Sequence, residues 1–390
     1  MNIKYLFIAV ALAFGCWSCT DDNPGESTKV PVGTETPDKP DDKDDDNVVS
    51  PTPNFTCDTQ TVKIILDQKG QTIEGFGASD CWLPNQIGKY WTGKRLQLAR
   101  WLFSRNVSSD GQPSGIGLSM WRVNLGAGSA QQGDASKIDA NNRAESFYNT
   151  NGTFDWNRCE GQRYFMQQAL NNGCESFVLF SNSPLVQFTK NGLAYSQSGA
   201  NANIKDDCYG RFADYMATVA EHFVKEGYNI SHISPVNEPQ YNWDGTSQEG
   251  SGWQNVEVAR LVKELDKSLT KLNLNTDILV GEAGAWDHLY SGSSSERKDV
   301  INAFFNPSSD AYIGDLKHVG KLISGHSYWT FDNWTDMRNV RSSVKSAADK
   351  YGLRVWQTEW SMLDKCPSEL GGDYDTLTEF DIALYVENHP

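Results

Sequence analysis

Two glutamates stand at the ends of separate apolar segments and could together carry out acid–base and nucleophilic chemistry. Glu238 follows the apolar segment 232–236, and Glu359 follows the segment 354–358. Because Pro239 has no N–H for a sheet ladder, we predict that the strand ends at Glu238, with its carboxylate facing the mouth of the fold. Cleavage of an acetal needs such a pair, since one carboxyl protonates the leaving oxygen while the other attacks the anomeric carbon or activates water. Either glutamate taken alone is equally typical of a solvated carboxylate.

The segments that must position these glutamates alternate between short apolar strands and amphipathic helices. The patterns predict seven strands, at residues 62–66, 118–125, 176–180, 232–236, 278–280, 322–329 and 354–358, with helices that include 94–103, 161–170 and 337–351. This order requires a parallel sheet, and we predict an α/β fold of the (β/α)8 TIM-barrel type that lacks one unit. A doubly wound open sheet is the alternative. Its dinucleotide-binding form would show G-x-G-x-x-G, which neither Gly75-Phe76-Gly77 nor Gly115-Ile116-Gly117 completes.

Composition and charge exclude several classes of function. The net charge of −16 argues against a nucleic-acid-binding protein, which needs basic patches for phosphate contact. The cysteine spacings match no zinc site, and we expect neither a metal nor an organic cofactor. The 13 tryptophans either fill the core or form a cleft whose ring faces stack on sugars, and composition alone favours the core.

The first 53 residues have the features of an export signal and a tether. Residues 1–19 contain Lys4, a short apolar core and Cys19, and they are similar to a bacterial lipoprotein signal in which Cys19 becomes the lipidated residue. Asp21 and Asp22 resemble a surface-export signal. Residues 20–53 carry ten acids and three lysines among Pro, Thr and Gly, which is typical of a disordered, self-repelling tether. We therefore expect an outer-membrane lipoprotein, exposed at the cell surface, whose folded body spans residues 54–390. A lipid anchor would be its only membrane contact.

Seven short motifs occur in the order of a known enzyme family. They lie at residues 73–79, 121–128, 181–184, 234–240, 248–250, 325–329 and 356–359. Together they resemble glycoside hydrolase family 30 of the clan-A retaining barrels, over nearly the whole body of the chain. The segments 234–240 and 248–250 are most similar to its endo-β-1,6-galactanase-like branch, with glucuronoxylanases and β-1,6-glucanases as alternatives.

The resemblance implies a role for each matching residue. Glu238 corresponds to the general acid/base, and Glu359 to the nucleophile of a double displacement. Asn237 corresponds to a residue that binds the sugar 2-OH or orients the nucleophile, and Arg122 to a cation that keeps the nucleophile ionised. Tyr328 and His326 correspond to groups close to the nucleophile, although a lone histidine is as often a packing residue. Candidate substrate-binding residues are Asp80, Trp82, Asn182, Trp243, Trp286 and Trp329, for which core packing or a loop cap is the alternative.

The chain departs from the family near its end. Members of the family have an eighth βα unit and a β-sandwich fused to the barrel, whereas here residues 378–386 start a seventh helix and the chain stops at Pro390. We therefore expect the eighth unit to be missing, with residues 62–66 as a remnant of the sandwich. A monomer that acts on a polysaccharide is the leading prediction. A non-catalytic, surface glycan-binding lipoprotein and a misfolded fragment are the alternatives.

Overall fold

The computed structural model describes residues 65–361 apart from 198, 200, 292–295 and 331–332. Seven parallel strands follow one another in chain order in this part of the chain. They are β1 (Gly77–Ser79), β2 (Met120–Asn124), β3 (Ser176–Phe180), β4 (Ile230–Ser234), β5 (Asp277–Ile278), β6 (Leu322–His326) and β7 (Arg354–Glu359). β1 to β5 form one sheet and β6 pairs with β7, while single parallel bridges at Ile278–Val319 and Ala283–Gly325 link the two groups. The predicted α/β fold with parallel strands is confirmed, and the strand order is that of a (β/α)8 barrel.

Helices separate the strands as the sequence pattern predicts. They are α1 (Leu83–Tyr90), α2 (Arg95–Phe103), α3 (Ser129–Gln132), α4 (Glu160–Asn171), α5 (Tyr209–Lys225), α6 (Asn255–Lys271), α7 (Val300–Phe305) and α8 (Trp334–Asp349). Short 3-10 turns cover Gly133–Ser136, Ala140–Asn142, Asp206–Cys208 and Trp286–Leu289. No helix in the described ranges is both long and apolar enough to cross a bilayer.

Each major helix buries one apolar stripe against the sheet. In α5, Phe212, Met216 and Phe223 recur at helical spacing and are each at most 1% exposed. Gly227, two residues after the end of α5, has a φ of 94° that suits glycine. α6 begins at a capping interaction in which the Gln254 N–H donates to the Glu257 carboxylate. The central strands are covered on both faces, which explains why their sequences are mostly continuous apolar runs.

Two glycines allow α1 and α4 to pack at very short range. A Cβ added to Gly161 would lie 1.9 Å from the Asn85 carbonyl oxygen, and one added to Gly88 would lie 2.4 Å from the Gly161 carbonyl oxygen. Because both clashes are with backbone, no side-chain movement can relieve them. The two helices therefore depend on the absence of a side chain at these positions.

We expect Gly161→Ala to lower the free energy of unfolding by about 1–3 kcal/mol or more, because α1 must move away from α4. Urea unfolding monitored by circular dichroism measures this. Gly210→Ala is the matched control, since Gly210 is also the second residue of its helix, but its added Cβ would meet only Glu264 Oε2, at 3.6 Å. That variant should gain up to about 1 kcal/mol from helix propensity. Equal effects of the two substitutions would contradict the packing argument.

Several predicted boundaries are wrong for identifiable reasons. The strand predicted at 232–236 is Ile230–Ser234, because Pro235 already ends the ladder and Pro239 is not needed to do so. The strand predicted at 322–329 ends at His326. The helix predicted at 337–351 begins earlier, at Trp334, because the Asn333 side chain caps it by accepting from the Asp336 N–H.

Residues 65 and 66 are the described part of the strand predicted at 62–66, and they do not form a strand. Ile65 and Leu66 are outside any strand, and the Gln68 N–H donates to the Ile65 carbonyl oxygen to close a turn. The first strand is instead Gly77–Ser79, which is too short and too rich in small residues to show a periodic pattern. The signal, the tether and residues 362–390 lie outside the described residues, so the expectations for Cys19, the domain boundaries and the eighth unit stay predictions.

Candidate active site

The carboxyl ends of the strands bring five charged side chains together. Arg122 lies in β2, His326 is the last residue of β6, and Glu359 is the last residue of β7. Glu238 and Glu282 each lie four residues beyond a strand, β4 and β5 respectively. Parallel strands in chain order place all these ends at one edge, which is where barrel proteins build their sites.

The carboxylate of Glu359 is held in its ionised form. Its Oε2 accepts from Arg122 Nη1 at 2.8 Å and its Oε1 accepts from the Tyr328 hydroxyl at 2.8 Å. Burial by itself would raise the pKa of Glu359, but the positive His326 and Arg122 and the hydrogen bond from Tyr328 together lower it. An ionised carboxylate is what a nucleophile needs.

Glu238 occupies a more enclosed position and is only 7% exposed. Its Oε1 lies 2.9 Å from His326 Nδ1, and its backbone N–H donates to the Glu282 carbonyl oxygen at 2.9 Å. Gly284 lies against the carboxyl group, since a Cβ there would be 3.1 Å from the Glu238 Cδ. The side chain therefore faces a space that a larger residue at position 284 would reduce.

His326 connects two carboxylates and is itself fully buried. Its Nδ1 lies 2.9 Å from Glu238 Oε1 and its Nε2 lies 2.8 Å from Glu282 Oε2. Because carboxylates accept hydrogen bonds, both ring nitrogens act as donors and the ring carries a positive charge. Burial opposes this charge, but Glu359, Glu238 and Glu282 raise the pKa of His326 to about 10.

Glu282 belongs to this site and was not predicted. Its Oε2 accepts from Arg122 Nη2 at 2.8 Å as well as from His326, and its Oε1 accepts from Ser324 Oγ at 3.2 Å. Burial opposes ionisation, but Arg122, His326 and Ser324 lower the pKa of Glu282 to about 2. The signal that could have found it is the one used for Glu238, a carboxylate shortly after a predicted strand.

Arg122 is the hub of the polar network. Its Nη1 bonds Glu359, while its Nη2 bonds Glu282 and also Asn237 Oδ1 at 2.8 Å. The guanidinium carbon lies 3.5 Å from the centre of the Phe180 ring. These partners explain how an arginine can be buried here, and they hold it in one orientation.

The two predicted catalytic carboxylates face each other across a short gap. One oxygen of Glu238, one oxygen of Glu359 and one nitrogen of His326 all lie within 4.8 Å of one another. Three such groups could in principle ligate a cation. His326 has no free lone pair in this arrangement, however, because both its nitrogens donate to carboxylates.

The sequence matches O-glycosyl hydrolase family 30 over residues 59–389. The chain belongs to this family. The resemblance found in the seven motifs is thereby confirmed.

Individual relatives agree with the family assignment. An endo-β-1,6-galactanase from Hypocrea rufa is 27% identical over 313 residues, which are 75% of this chain and 59% of that protein. A conserved exported protein from Bacteroides fragilis has a TM-score of 0.72 and 30% identity, over 76% of this chain and 62% of its own. An endo-β-1,6-glucanase shares the fold, with a TM-score of 0.52 and 17% identity, over 75% of this chain and 59% of its own. The chain thus spans about three fifths of the length of these relatives.

Three of the predicted substrate-binding tryptophans have different surroundings. Trp243 is buried and its indole N–H donates to the Glu238 carbonyl oxygen at 3.1 Å. Trp286 is also buried, and its N–H donates to Ser327 Oγ at 2.8 Å, so this ring supports the site from within the core. Only Trp329 of the three is open to solvent, at 58% exposure.

The other predicted substrate-binding residues lie at the ends of β1 and β3. Asp80 is buried, and its two carboxylate oxygens accept from the Asn124 backbone N–H and from Gln162 Nε2, both at 2.8 Å. These contacts make it a support for the loop, and burial raises its pKa to about 7. Trp82 is half-buried and Asn182 is buried. Their contact with a sugar stays a prediction.

The Gln248-Glu249-Gly250 motif has a positioning role that the sequence did not show. Glu249 is completely buried and its carboxylate accepts from the backbone N–H groups of Ala127 and Ser129, at 2.7 and 3.1 Å. Gly250 lies against the ring of Trp243, where a Cβ would come within 2.3 Å. The motif therefore ties the loop after β4 to the loop after β2 and fixes Trp243 beneath Glu238.

Proposed function

We propose that this chain is a retaining, endo-acting glycoside hydrolase in which Glu238 is the acid/base and Glu359 the nucleophile. The observation that carries the proposal is the approach of the two carboxylates, with an oxygen of each within 4.8 Å. Retaining enzymes hold their carboxyl groups about 5–5.5 Å apart, whereas inverting enzymes leave about 6.5–9.5 Å for a water molecule. The arrangement favours double displacement.

The contacts of each carboxylate fit its proposed step. In the first step Glu359 forms a bond to the anomeric carbon and the glycosidic C–O bond breaks. Glu238, protonated on Oε2 while its Oε1 accepts from His326, gives this proton to the leaving oxygen. In the second step Glu238 takes a proton from water, whose oxygen attacks the anomeric carbon and releases Glu359. Arg122 and Tyr328 orient the attacking oxygens of Glu359, and His326 orients Glu238.

The substrate that we propose is a β-1,6-galactan. Two observations support it: the endo-β-1,6-galactanase relative, and the similarity of residues 234–240 and 248–250 to that branch of the family. Glucuronoxylan and β-1,6-glucan are the alternatives within the family. The alternative of a non-catalytic glycan-binding protein is disfavoured. Sugar binding alone requires neither an ionised Glu359 nor a second carboxyl group, Glu238, beside it.

We further propose that the protein is a monomeric lipoprotein of the outer membrane, lipidated at Cys19 and exposed at the cell surface. The support is the sequence of residues 1–53, together with a 30% identical relative described as an exported protein. The acidic tether would hold the catalytic body away from the membrane. Incorporation of a labelled fatty acid into the wild-type chain, and its loss in Cys19→Ala, tests this.

Product analysis tests both substrate and mechanism. The full chain is incubated with β-1,6-galactan, arabinogalactan, glucuronoxylan and β-1,6-glucan, and the products are followed by chromatography and by proton NMR of the new reducing end. We expect a ladder of β-1,6-galacto-oligosaccharides whose reducing ends form first as the β anomer. Initial formation of the α anomer would contradict the retaining mechanism. If only one of the other glycans gave products, that glycan would be the substrate in place of β-1,6-galactan. If no glycan gave products, the enzyme assignment would be contradicted.

A further inference from the structure

We propose that Glu249 is a positioning residue for the proton transfer by Glu238. This inference rests on the proposed function and deepens it, because it assigns a buried carboxylate outside the reacting groups to the acid/base step. Glu249 is completely buried and lies farther along the same loop after β4 that carries Glu238. In this role it acts through Trp243 and does not touch the substrate.

The backbone of Glu238 needs its surroundings to hold it in place. Its φ of 44° is rare for a residue other than glycine, and such a conformation persists only where neighbouring contacts fix it. Two of these contacts are made to its carbonyl oxygen, which accepts from the Tyr241 N–H and from the Trp243 indole N–H, both at 3.1 Å. The Trp243 ring therefore helps to orient the peptide group from which the acid/base side chain extends.

Trp243 is held in turn by the residue that follows Glu249. Its ring lies directly against Gly250, where an added Cβ would come within 2.3 Å of a ring atom. The Trp243 carbonyl oxygen accepts from the Ser196 N–H, and the Gly250 N–H donates to the Ala194 carbonyl oxygen, both at 2.8 Å. The same stretch of the loop after β3 thus binds both partners of this contact. Because Gly250 forms a wall for the indole ring, a displaced Gly250 would let the ring move.

The carboxylate of Glu249 fixes the position of Gly250. Its Oε2 accepts from the Ala127 N–H at 2.7 Å and its Oε1 accepts from the Ser129 N–H at 3.1 Å, so both oxygens are bound to the loop after β2. Burial raises the pKa of Glu249 to about 7, and the hydrogen bonds from Ser129 and Ala127 oppose this rise. A buried carboxylate is costly without its hydrogen bonds, so the loss of either bond would displace this segment.

The first test measures how strongly the rate depends on the leaving group. Two aryl β-glycosides of β-1,6-galactobiose are compared: the phenol of the phenyl glycoside needs a proton from Glu238 to leave, whereas dinitrophenol leaves as the anion. In Glu249→Gln the amide has one acceptor oxygen for two backbone N–H groups. We expect this variant to lower kcat/KM for the phenyl glycoside by about 10–100-fold, and for the dinitrophenyl glycoside by less than about threefold. Equal losses on both would overturn the inference, because a purely structural fault affects every substrate alike.

Glu257→Gln is the matched control. The Glu257 carboxylate also accepts from two backbone N–H groups, those of Ala202 at 3.0 Å and Gln254 at 2.9 Å, but these bonds lie at the start of α6. This variant should lose stability and leave the ratio of the two rates unchanged. If Glu249→Gln does not fold, Glu249→Asp keeps the carboxylate with a shorter reach. It should show the same selective loss in smaller measure, and equal losses on the two substrates would again overturn the inference.

Trp243→Phe tests the route from Glu249 to Glu238. Phenylalanine keeps a ring against Gly250 but lacks the N–H that bonds the Glu238 carbonyl oxygen. We expect the same selective loss, and we expect the double variant with Glu249→Gln to be within about twofold of the more impaired single variant, since both changes break one pathway. Losses that multiply would mean that Glu249 acts independently of Trp243, which the inference does not allow.

A measurement without turnover separates this inference from the proposed function. NMR resolves the indole N–H signals, and the signal of Trp243 is the one that disappears in Trp243→Phe. We expect Glu249→Gln to shift this signal and Glu257→Gln to leave it in place. If the wild-type chain hydrolyses glycans but Glu249→Gln leaves the signal unchanged, the inference fails and the hydrolase stands. If the signal shifts but no glycan is hydrolysed, the proposed function fails while the link between Glu249 and Trp243 stands.

Discussion

Glu359→Ala is expected to lower the rate of hydrolysis by about 10⁴-fold or more, and added azide is expected to restore turnover with formation of an α-glycosyl azide. The substitution removes the oxygens that Arg122 and Tyr328 hold at 2.8 Å and leaves space for a small anion on the same face of the sugar. Attack from that face inverts the anomeric carbon once. An activated substrate such as a β-galactosyl fluoride, with NMR of the product, measures both rate and stereochemistry.

Glu238→Ala should give the opposite stereochemistry and so acts as the partner experiment. With an activated leaving group the glycosyl-enzyme still forms on Glu359, and azide then attacks from the side that Glu238 occupied. The product is a β-glycosyl azide, and the loss of rate without azide is about 10²–10⁴-fold on substrates that need acid assistance. Glu175→Ala, an exposed surface glutamate paired with Arg105, should keep nearly the full rate. If Glu359→Ala gave the β-glycosyl azide and Glu238→Ala the α-glycosyl azide, the roles of the two glutamates would be reversed.

Glu282→Gln is expected to have the next largest effect, although we do not expect Glu282 to touch the substrate. It is the common partner of Arg122 and His326, through which it positions the two proposed catalytic carboxylates. Removing one charge from a buried ion pair leaves its partners uncompensated, at a cost of about 3–5 kcal/mol in the free energy of unfolding. A shift of the nucleophile by about 1 Å would lower kcat by about 10²-fold. Chemical denaturation and steady-state kinetics measure the two effects.

The pH dependence distinguishes positioning from a purely structural role. The pKa of Glu282 falls to about 2 in the folded state, so its contribution to stability is present above its unfolded value near 4.5 and is lost as the pH falls toward 2. The pKa of His326 is raised to about 10, so its contribution is complete below about 6.5 and is lost as the pH rises through 10. We expect Glu282→Gln to flatten the acid side of the plot of stability against pH. We also expect the pH above which kcat falls to become lower, because His326 loses a charged partner that raises its pKa. Glu175→Gln should change neither the stability profile nor the pH dependence of kcat. If Glu282→Gln left the alkaline limit of kcat unchanged, the role of Glu282 would be structural and not positioning.

The sequence predicts the parts of the fold that depend on local pattern. The apolar run 176–180 is the whole of β3, and the helices predicted at 94–103 and 161–170 agree with α2 and α4 to within one residue at each end. The shift of β4 also has a local cause, because Pro235 comes before Pro239 and is the first residue that cannot continue the ladder. Gly77–Ser79, at three residues, is too short for any periodicity to reveal.

The candidate site depends on tertiary packing, and there the sequence is less informative. Trp286 follows β5 and Trp329 follows β6, yet the first is 3% exposed, with its N–H bonded to Ser327 Oγ, and the second is 58% exposed. Glu282 and Glu238 carry the same local signal, but the importance of Glu282 follows from contacts with Arg122 and His326, which are distant in sequence. Residue type and position therefore suggest candidate site residues. The long-range hydrogen bonds of the folded protein show which of these candidates lie together in the site.

The contacts of Arg122 and His326 have a consequence for how the protein opens. Between them, these two residues join side chains from β2, β6 and β7 and from the segments after β4 and β5, so five stretches of chain share one buried set of hydrogen bonds. Loosening any one stretch leaves charges without partners, which suppresses partial opening at this end of the strands. A transition-state mimic that binds only the assembled arrangement would then protect amide hydrogens in strands it never touches, and its affinity could be read from the melting temperature.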